Sequence, residues 1–179
     1  CLNIWGGKIL DPLLNFLHSY RHIDIFCFQE VFSKTHQKVS PSSDGQTCLD
    51  VFERIATILP DHQGFFTPII DGVYGLGSFI RKDIVVLKTG EDWIYENLHY
   101  SGQGPSHSRK LQWFTLQLQQ QLSVVNLHGL WNGKGKTDSA EREEQSLQIK
   151  QCIRQLQTPI VLCGDFNLMP DTQSIKILE

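Results

Sequence analysis

One stretch of sequence decides the fold: Thr158-Pro159-Ile160-Val161-Leu162-Cys163-Gly164-Asp165-Phe166-Asn167. Its apolar, β-branched residues predict a buried strand, and the strand ends abruptly in polar groups. Because side chains alternate along a strand, Asp165 and Asn167 leave its end on the same side. Together they can hold a water, a hard cation or a phosphate. The alternative is an Asx-turn that simply closes the strand.

Composition limits the class of protein. The chain has 179 residues, 40% of them hydrophobic, which suits a single globular domain with a sizeable core. Sixteen basic and 19 acidic residues give a net charge of −3. This balance argues against a strongly basic protein that coats nucleic acid, but it allows an enzyme that visits nucleic acid through a local basic patch.

The five cysteines have no CxxC spacing, which argues against both a disulfide framework and a zinc knuckle. Cys27 and Cys163 lie inside apolar strands and Cys152 lies on the apolar face of a helix, so we expect them to be small core residues. A reducing, cytoplasmic location follows from this usage. No apolar run reaches the length of a membrane span, so we expect no stable membrane insertion.

Both ends of the sequence are expected to be cut. Residues 1–5 have the pattern of the middle of a strand and include no initiator methionine, and residues 174–179 stop inside an apparent amphipathic helix. We therefore predict one domain over residues 1–179 that is truncated at both ends.

Hydrophobic periodicity predicts helices mixed with strands in the two outer parts of the chain and strands alone in the middle. Asp11 as N-cap and Pro12 in the first turn predict the start of the first helix. A strand before that helix and a strand at 24–30 after it indicate a βαβ unit. Two such parts around a strand-rich middle imply two sheets packed face to face, with helices outside.

The other predicted elements follow the same patterns. Residues 33–47 form a polar surface loop, and a helix is predicted at 49–59. Asp138 and Glu141 form a capping box for a later helix. The apolar stripe of that helix consists of Ile149, Cys152, Ile153 and Leu156. Further strands are predicted at 65–69, 77–80, 84–87, 111–116 and 122–127.

Polar residues stand at the ends of several predicted strands. Glu30 follows the apolar run 25–28, and a buried carboxylate without a partner is costly. A divalent cation is an economical partner, because Mg²⁺ prefers carboxylate oxygens. A salt bridge to a lysine or arginine is the alternative. Asn3 and His128 stand at other strand ends, as the Asp165 and Asn167 pair does.

Six motifs occur together in the order and approximate spacing of the endonuclease/exonuclease/phosphatase superfamily, which the chain resembles over nearly its whole length. They are Leu2-Asn3-Ile4-Trp5-Gly6-Gly7, Phe28-Gln29-Glu30-Val31, Tyr74-Gly75-Leu76-Gly77-Ser78, Ser108-Arg109, Asn126-Leu127-His128-Gly129 and Gly164-Asp165-Phe166-Asn167. The superfamily contains DNase I-like nucleases, apurinic-site endonucleases, sphingomyelinases and inositol-polyphosphate phosphatases.

The resemblance implies an α/β fold, namely a DNase I-like four-layer α/β/β/α sandwich of two mixed sheets, here incomplete at the C-terminus. It also implies hydrolysis of a phosphoester with Mg²⁺ or Mn²⁺ as cofactor. Glu30 resembles the metal ligand of the family, and Asn3 resembles its helper. Asp165 resembles the carboxylate that orients and deprotonates the attacking water. Asn167 resembles the carboxamide that holds a phosphate oxygen or assists the metal, and His128 matches a position near the phosphate.

The chemistry of the remaining candidates leaves alternatives open. His128 could donate to the phosphate or protonate the leaving group, or it could be a structural histidine that caps a strand. Arg109 could bind a substrate phosphate through its guanidinium fork, or it could form a surface ion pair. Residues 130–136 could grip a substrate, although a mobile, solvated loop is favoured. Residues 74–77 are expected to be a turn into a strand rather than a phosphate loop.

The family pattern continues with a further aspartate and a terminal Ser-Asp-His motif, and this sequence contains neither. The resemblance therefore implies poor activity for the chain as it stands. A truncated, working metal-dependent phosphoesterase is favoured over a non-catalytic binding or scaffold domain, because a scaffold would not need Glu30, His128, Asp165 and Asn167 together. The substrate could be nucleic acid, a phospholipid head group or an inositol phosphate, and we expect a monomer.

Overall fold

The computed structural model describes residues 1–34, 45–102 and 104–179. Most of the surface loop predicted at 33–47 lies outside the described residues. The chain forms two compact units, Cys1–Val85 and Val86–Glu179. Among the described residues, no helix is both long and apolar enough to span a membrane.

The first unit contains a four-stranded mixed sheet with the order β1-β2-β4-β3. β1 runs parallel to β2, and β4 runs antiparallel to both β2 and β3. The predicted βαβ unit is therefore confirmed as β1-α1-β2. The strands are β1 (Leu2–Asn3), β2 (Ile25–Phe32), β3 (His62–Ile70) and β4 (Tyr74–Arg81), and the helices are α1 (Leu10–Ser19) and α2 (Val51–Ile58).

The core of the first unit lies between the sheet and its two helices. Leu13 and Leu17 of α1 and Val51 and Ile55 of α2 are buried in one cluster with the apolar residues of β2, including Phe28. These helix residues recur at spacings of four, so each helix buries one stripe and leaves its other face in water. This packing fixes both helices against the strand that carries Glu30.

The second unit contains another four-stranded mixed sheet, with the order β5-β6-β7-β8. β6 and β7 are antiparallel, whereas β7 and β8 are parallel. The strands are β5 (Val85–Tyr95), β6 (Arg109–Gln117), β7 (Gln121–His128) and β8 (Ile160–Asp165), and the helices are α3 (Ala140–Arg154) and α4 (Gln173–Leu178). Helix α3 joins the two parallel strands, as such a connection requires.

Two local predictions were wrong. Helix α1 begins at Leu10 with Ile9 at the cap, so Asp11 lies inside the first turn. Pro12 also lies in that turn, where no intrahelical bond needs its missing N–H. Residues 74–77 are not a turn, because they form the first half of β4 and pair with both β2 and β3.

The predicted capping box of α3 was also wrong. Ser139 is the N-cap of α3, and Asp138 instead caps α4. The Asp138 carboxylate accepts hydrogen bonds from the backbone N–H groups of Gln173 and Ser174 at 2.8 and 2.9 Å, and from the Ser174 hydroxyl at 2.7 Å. These bonds lower the pKa of Asp138, the Ser174 hydroxyl bond contributing most. A residue 35 positions away in sequence therefore satisfies the orphan donors of α4.

We predict that Asp138→Ala speeds hydrogen exchange at the amides of Gln173 and Ser174, because both lose their acceptor. Exchange measured by NMR checks this expectation. Glu141→Ala is the matched control, because Glu141 lies in the first turn of α3 and should leave the α4 amides unchanged. Equal exchange in the two variants would contradict the assignment of Asp138 to α4.

Candidate active site

In the first unit, Glu30 lies in an irregularity of β2. The register of β2 against β4 shifts between Phe28 and Val31, and Glu30 has a φ of +58°. This left-handed conformation costs a non-glycine residue about 1 kcal/mol or more and is typical of functional sites. The bulge takes Glu30 out of the regular alternation of the strand and leaves its side chain half-buried.

Asn3 fixes the Glu30 carboxylate. β1 pairs Asn3 with Gln29 on the neighbouring parallel strand, and the Asn3 Nδ2 group donates to Glu30 Oε1 at 3.0 Å. The Asn3 Oδ1 atom accepts from the backbone N–H of Trp5 at 2.9 Å, which sets the orientation of the amide. The structure thus brings together the two residues predicted for the metal site, and Asn3 acts on the carboxylate.

The chemistry of this pair fits a hard cation. An ionised carboxylate offers about four lone-pair positions, and the bond from Asn3 uses one of them. Mg²⁺ needs only one or two protein carboxylates and keeps several waters. Among the described residues, no three His, Cys, Asp or Glu side chains form a metal-binding cluster. Glu30 has carboxylate oxygens that could hold such an ion, and its assignment as a ligand stays a prediction.

In the second unit, the parallel pairing of β7 and β8 brings His128 beside Asp165. The two residues are register partners, and His128 Nε2 lies 4.0 Å from Asp165 Oδ2. The strands approach closely here because two glycines lack side chains. A Cβ atom on Gly164 would lie 2.1 Å from the Leu127 carbonyl oxygen, and one on Gly129 would lie 2.2 Å from the Phe166 carbonyl oxygen.

Arg109 sets the protonation of His128. The Arg109 Nη1 atom lies 3.0 Å from His128 Nδ1, and both side chains are buried. Because a guanidinium can only donate, Nδ1 must accept, so the neutral ring carries its proton on Nε2, toward Asp165. Burial, followed by the charge of Arg109, lowers the pKa of His128 to about 3. At neutral pH, His128 is a neutral hydrogen-bond donor.

Arg109 itself is only 1% exposed, so it is not the surface ion pair considered from the sequence. A second bond runs from its Nη2 atom to the Pro105 carbonyl at 3.3 Å. The geometry therefore favours a positioning role behind His128. Its predicted direct contact with a substrate phosphate stays a prediction.

Asp165 and Asn167 form an Asx-turn at the end of β8. The Asn167 backbone N–H donates to Asp165 Oδ1 at 3.0 Å, and the Asn167 Nδ2 group donates to the Gly129 carbonyl at 3.1 Å. Asn167 adopts a left-handed φ of +54° and is 7% exposed. The alternative of an Asx-turn is thus correct for the backbone, and this turn also holds the Asp165 carboxylate in place.

Sequence reasoning missed Arg142 and Gln145 of α3, which are buried and hold the segment after His128. Lys136 belongs to the segment 130–136 considered from the sequence, and its Nζ lies 3.9 Å from Asp165 Oδ1. The stripe of α3 begins with these polar residues and continues to Ile149, around which Cys152, Ile153 and Leu156 are partly buried. The Arg-x-x-Gln spacing before an apolar stripe was a visible signal, because both side chains then share the inward face.

The chain belongs to the Endonuclease/Exonuclease/phosphatase family, whose sequence model matches residues 1–179. The family name covers endonucleases, exonucleases and phosphatases, which act on phosphoester bonds. No curated protein matches the chain by sequence.

Solved structures of the family are similar to the chain. An endonuclease/exonuclease/phosphatase from Bacteroides vulgatus is 22% identical with a TM-score of 0.68, over 98% of this chain and 62% of that one. The mannosyl-6-phosphatase Bt3783 of Bacteroides thetaiotaomicron is 20% identical with a TM-score of 0.70, over 97% of this chain and 61% of that one. The 2′,3′-cyclic phosphatase ANGEL2 is 15% identical with a TM-score of 0.66, over 93% of this chain and 45% of that one.

These similarities show the fold, and they confirm the predicted DNase I-like α/β class with two mixed sheets. The chain spans about three fifths of the length of the first two structures, 62% and 61%. The roles predicted for Asn3, Glu30, Arg109, His128, Asp165 and Asn167 stay predictions.

We predict that Gly164→Ala destabilises the second unit by about 1–3 kcal/mol, because the new methyl group forces β7 and β8 apart. Urea unfolding measures the loss. Gly135→Ala is the control, since no described atom lies within 4 Å of its Cβ position and the φ of +84° tests backbone strain alone. A Gly164 variant no less stable than the Gly135 variant would argue against the close approach.

His128 should make stability depend on pH. Because the pKa of His128 is lowered in the folded state, His128 is protonated in the unfolded chain but neutral in the folded chain between about pH 6.5 and pH 3. The contribution of His128 is therefore complete above about pH 6.5 and is lost as the pH falls toward 3. As the pH falls through this window, we expect the free energy of unfolding to decrease by about 1.4 kcal/mol more per pH unit in the wild type than in His128→Gln.

Unfolding in urea between pH 7 and pH 4 measures this difference. The control is His99→Gln, because His99 is exposed. A His128 variant whose pH slope equals that of the wild type would refute the buried neutral imidazole.

Proposed function

We propose that the protein is a metal-dependent phosphoester hydrolase of the phosphodiesterase or nuclease type. The observation that carries the proposal is the pairing of a neutral, buried His128 with the partly exposed Asp165 on adjacent strand ends. A donor beside an acceptor carboxylate can orient a water and a phosphate oxygen together. Membership of the family supports the same reaction class.

In the proposed reaction, Asp165 Oδ2 accepts a hydrogen bond from the attacking water and then takes its proton. The gap of 4.0 Å between Asp165 Oδ2 and His128 Nε2 is longer than a direct hydrogen bond and leaves room for a bridging water or a substrate oxygen. Asp165 Oδ1 is held by the Asn167 N–H, so the carboxylate keeps its orientation through the reaction. The new bond joins the water oxygen to phosphorus.

His128 donates its Nε2 proton as a hydrogen bond to a phosphate oxygen. A pKa of about 3 makes the ring neutral at physiological pH, so it stabilises charge as a fixed donor and does not start the reaction as imidazolium. Arg109 keeps this tautomer through the reaction. The leaving oxygen departs with the electrons of its bond to phosphorus and takes a proton from solvent.

Glu30, oriented by Asn3, is the proposed ligand for Mg²⁺ or Mn²⁺. When bound, such a cation would supply positive charge to a substrate phosphate. Asn167 is the proposed contact for a phosphate oxygen.

The substrate is proposed as a phosphoester of nucleic acid, of a phospholipid head group or of an inositol phosphate. A net charge of −3 does not favour a tightly held nucleic acid. Similar structures include a mannosyl-6-phosphatase and a 2′,3′-cyclic phosphatase, so sugar phosphates and cyclic phosphates belong in the same substrate panel.

We predict that Asp165→Asn and Glu30→Gln each lower phosphodiester hydrolysis by the full-length protein at least about a hundredfold, and that chelation of divalent ions abolishes it. Hydrolysis of bis(p-nitrophenyl) phosphate with Mg²⁺, with Mn²⁺ and with EDTA measures these effects. Asp171→Asn is the control, because Asp171 is exposed six residues beyond Asp165.

The double variant Glu30→Gln/Asp165→Asn tests whether the two residues serve one reaction. If they do, its hydrolysis rate falls little below that of the less active single variant. Undiminished hydrolysis by Asp165→Asn would overturn the mechanism. A folded protein that binds phosphoesters and hydrolyses none of the panel would instead support a binding or scaffold domain.

A further inference from the structure

The segment Leu130–Thr137, here called the lysine loop, follows His128 and Gly129 directly. The sequence favoured a mobile, solvated segment, but buried polar side chains of α3 hold it at its start. The Leu130 backbone N–H donates to Gln145 Oε1 at 3.0 Å, and Arg142 Nε donates to the Leu130 carbonyl at 3.3 Å. Arg142 and Gln145 are 1% and 3% exposed.

The same arginine holds the other end of the loop. Arg142 Nη1 donates to the carbonyl of Thr137, so one guanidinium binds both the first and the last residue of the lysine loop. Its cation also lies 6.0 Å from the centroid of the Trp131 ring. Burial lowers the pKa of Arg142, which reflects the cost of placing this charge away from water. The buried guanidinium therefore links the two ends of the loop.

A third anchor ties Lys136 to the strand end that carries Asp165. The backbone N–H of Met169, two residues beyond Asn167, donates to the Lys136 carbonyl at 2.8 Å. The Lys136 ammonium then lies 3.9 Å from Asp165 Oδ1, with its side chain 49% exposed and that of Asp165 23% exposed. Lys136 therefore presents a solvent-facing positive charge beside the proposed catalytic carboxylate.

An ion pair alone is a poor explanation for this construction. A half-exposed lysine at 3.9 Å from a carboxylate contributes little to stability, because water and salt screen it. Burying Arg142 and Gln145 carries a real cost in desolvation. The weak contact between Lys136 and Asp165 does not offset this cost. A second, negatively charged partner that binds the Lys136 ammonium from solvent would explain why Arg142 and Gln145 hold the loop.

We propose that Lys136 is a substrate-binding residue whose ammonium binds a non-bridging oxygen of the substrate phosphate beside Asp165, and that Arg142 and Gln145 are positioning residues that hold it there. This inference rests on the proposed function for its substrate class. The lysine is suited to the role because an ammonium with three donors can bond to Asp165 and to a phosphate oxygen together.

Lys134 provides an internal control. It lies two residues before Lys136 in the same loop and is exposed, and its backbone N–H is held by Asn132 Oδ1 at 3.0 Å. The two lysines therefore share a loop, a charge and solvent exposure. They differ in the anchor of Lys136 to Met169 and in its approach to Asp165.

The experiment compares Lys136→Gln, Lys136→Arg and Lys134→Gln in the full-length protein. Binding of inorganic phosphate is measured by calorimetry with and without Mg²⁺, and KM and kcat are measured on bis(p-nitrophenyl) phosphate and p-nitrophenyl phosphate. We expect Lys136→Gln to weaken phosphate binding and raise KM by roughly tenfold or more, with a smaller change in kcat. Lys136→Arg keeps most of the affinity, and Lys134→Gln resembles the wild type.

The positioning role has its own readout. Arg142→Gln should weaken phosphate binding as Lys136→Gln does. The double variant Lys136→Gln/Arg142→Gln should lose little more phosphate affinity than either single variant. Should Arg142→Gln fail to fold, as judged by circular dichroism, Gln145→Ala takes its place. Additive losses in the double variant would overturn the positioning role.

The outcomes separate this inference from the proposed function. A wild type that hydrolyses phosphoesters while Lys136→Gln binds phosphate and substrate as the wild type does would overturn the role of Lys136 alone. A wild type that hydrolyses nothing, yet binds phosphate through Lys136, would overturn the proposed function and keep this inference. Equal losses of phosphate affinity in Lys136→Gln and Lys134→Gln would mean that only the total charge of the loop matters. That result would also overturn the specific role of Lys136.

Discussion

The close parallel approach of β7 and β8 is the constraint on which the candidate site of the second unit depends. Gly129 and Gly164 permit it, because a Cβ at either position would collide with a carbonyl of the other strand. From that approach follow the register that sets His128 opposite Asp165 and the bond from Asn167 to the Gly129 carbonyl. The bond from Asn167 Nδ2 to the Gly129 carbonyl, at 3.1 Å, requires this close approach, because a hydrogen bond is lost beyond about 3.5 Å.

The polar residues of the second unit have different roles according to their charge and burial. Arg109 and Arg142 are buried, and removing a guanidinium from water costs several kcal/mol unless its bonds are used. Each donates two hydrogen bonds within the protein: Arg109 to His128 and to the Pro105 carbonyl, and Arg142 to the two ends of the lysine loop. Asp165 and Lys136 reach solvent with their side chains 23% and 49% exposed, so these are the two groups that can contact a substrate.

The first unit follows the same logic on a smaller scale. Asn3 is committed to Glu30 and to the backbone of Trp5, so its function is to orient the carboxylate. Glu30 keeps lone pairs for a further ligand, and its left-handed backbone shows that the strand accepts strain at this residue. Strain of this kind persists only where surrounding structure imposes it, and here the apolar residues of β2 on either side are buried in the core.

Sequence alone determined the class of fold and most of the candidate residues, because both depend on local signals. Apolar periodicity marked the strands, and polar residues at strand ends marked Glu30, His128 and Asp165. Tertiary structure decided which partner each polar group takes. Asp138 caps α4 rather than α3, Arg109 turns inward to His128, and Lys136 reaches Asp165 through anchors on α3 and Met169. Such choices depend on hydrogen-bond geometry between segments distant in sequence, for which no local pattern carries the information.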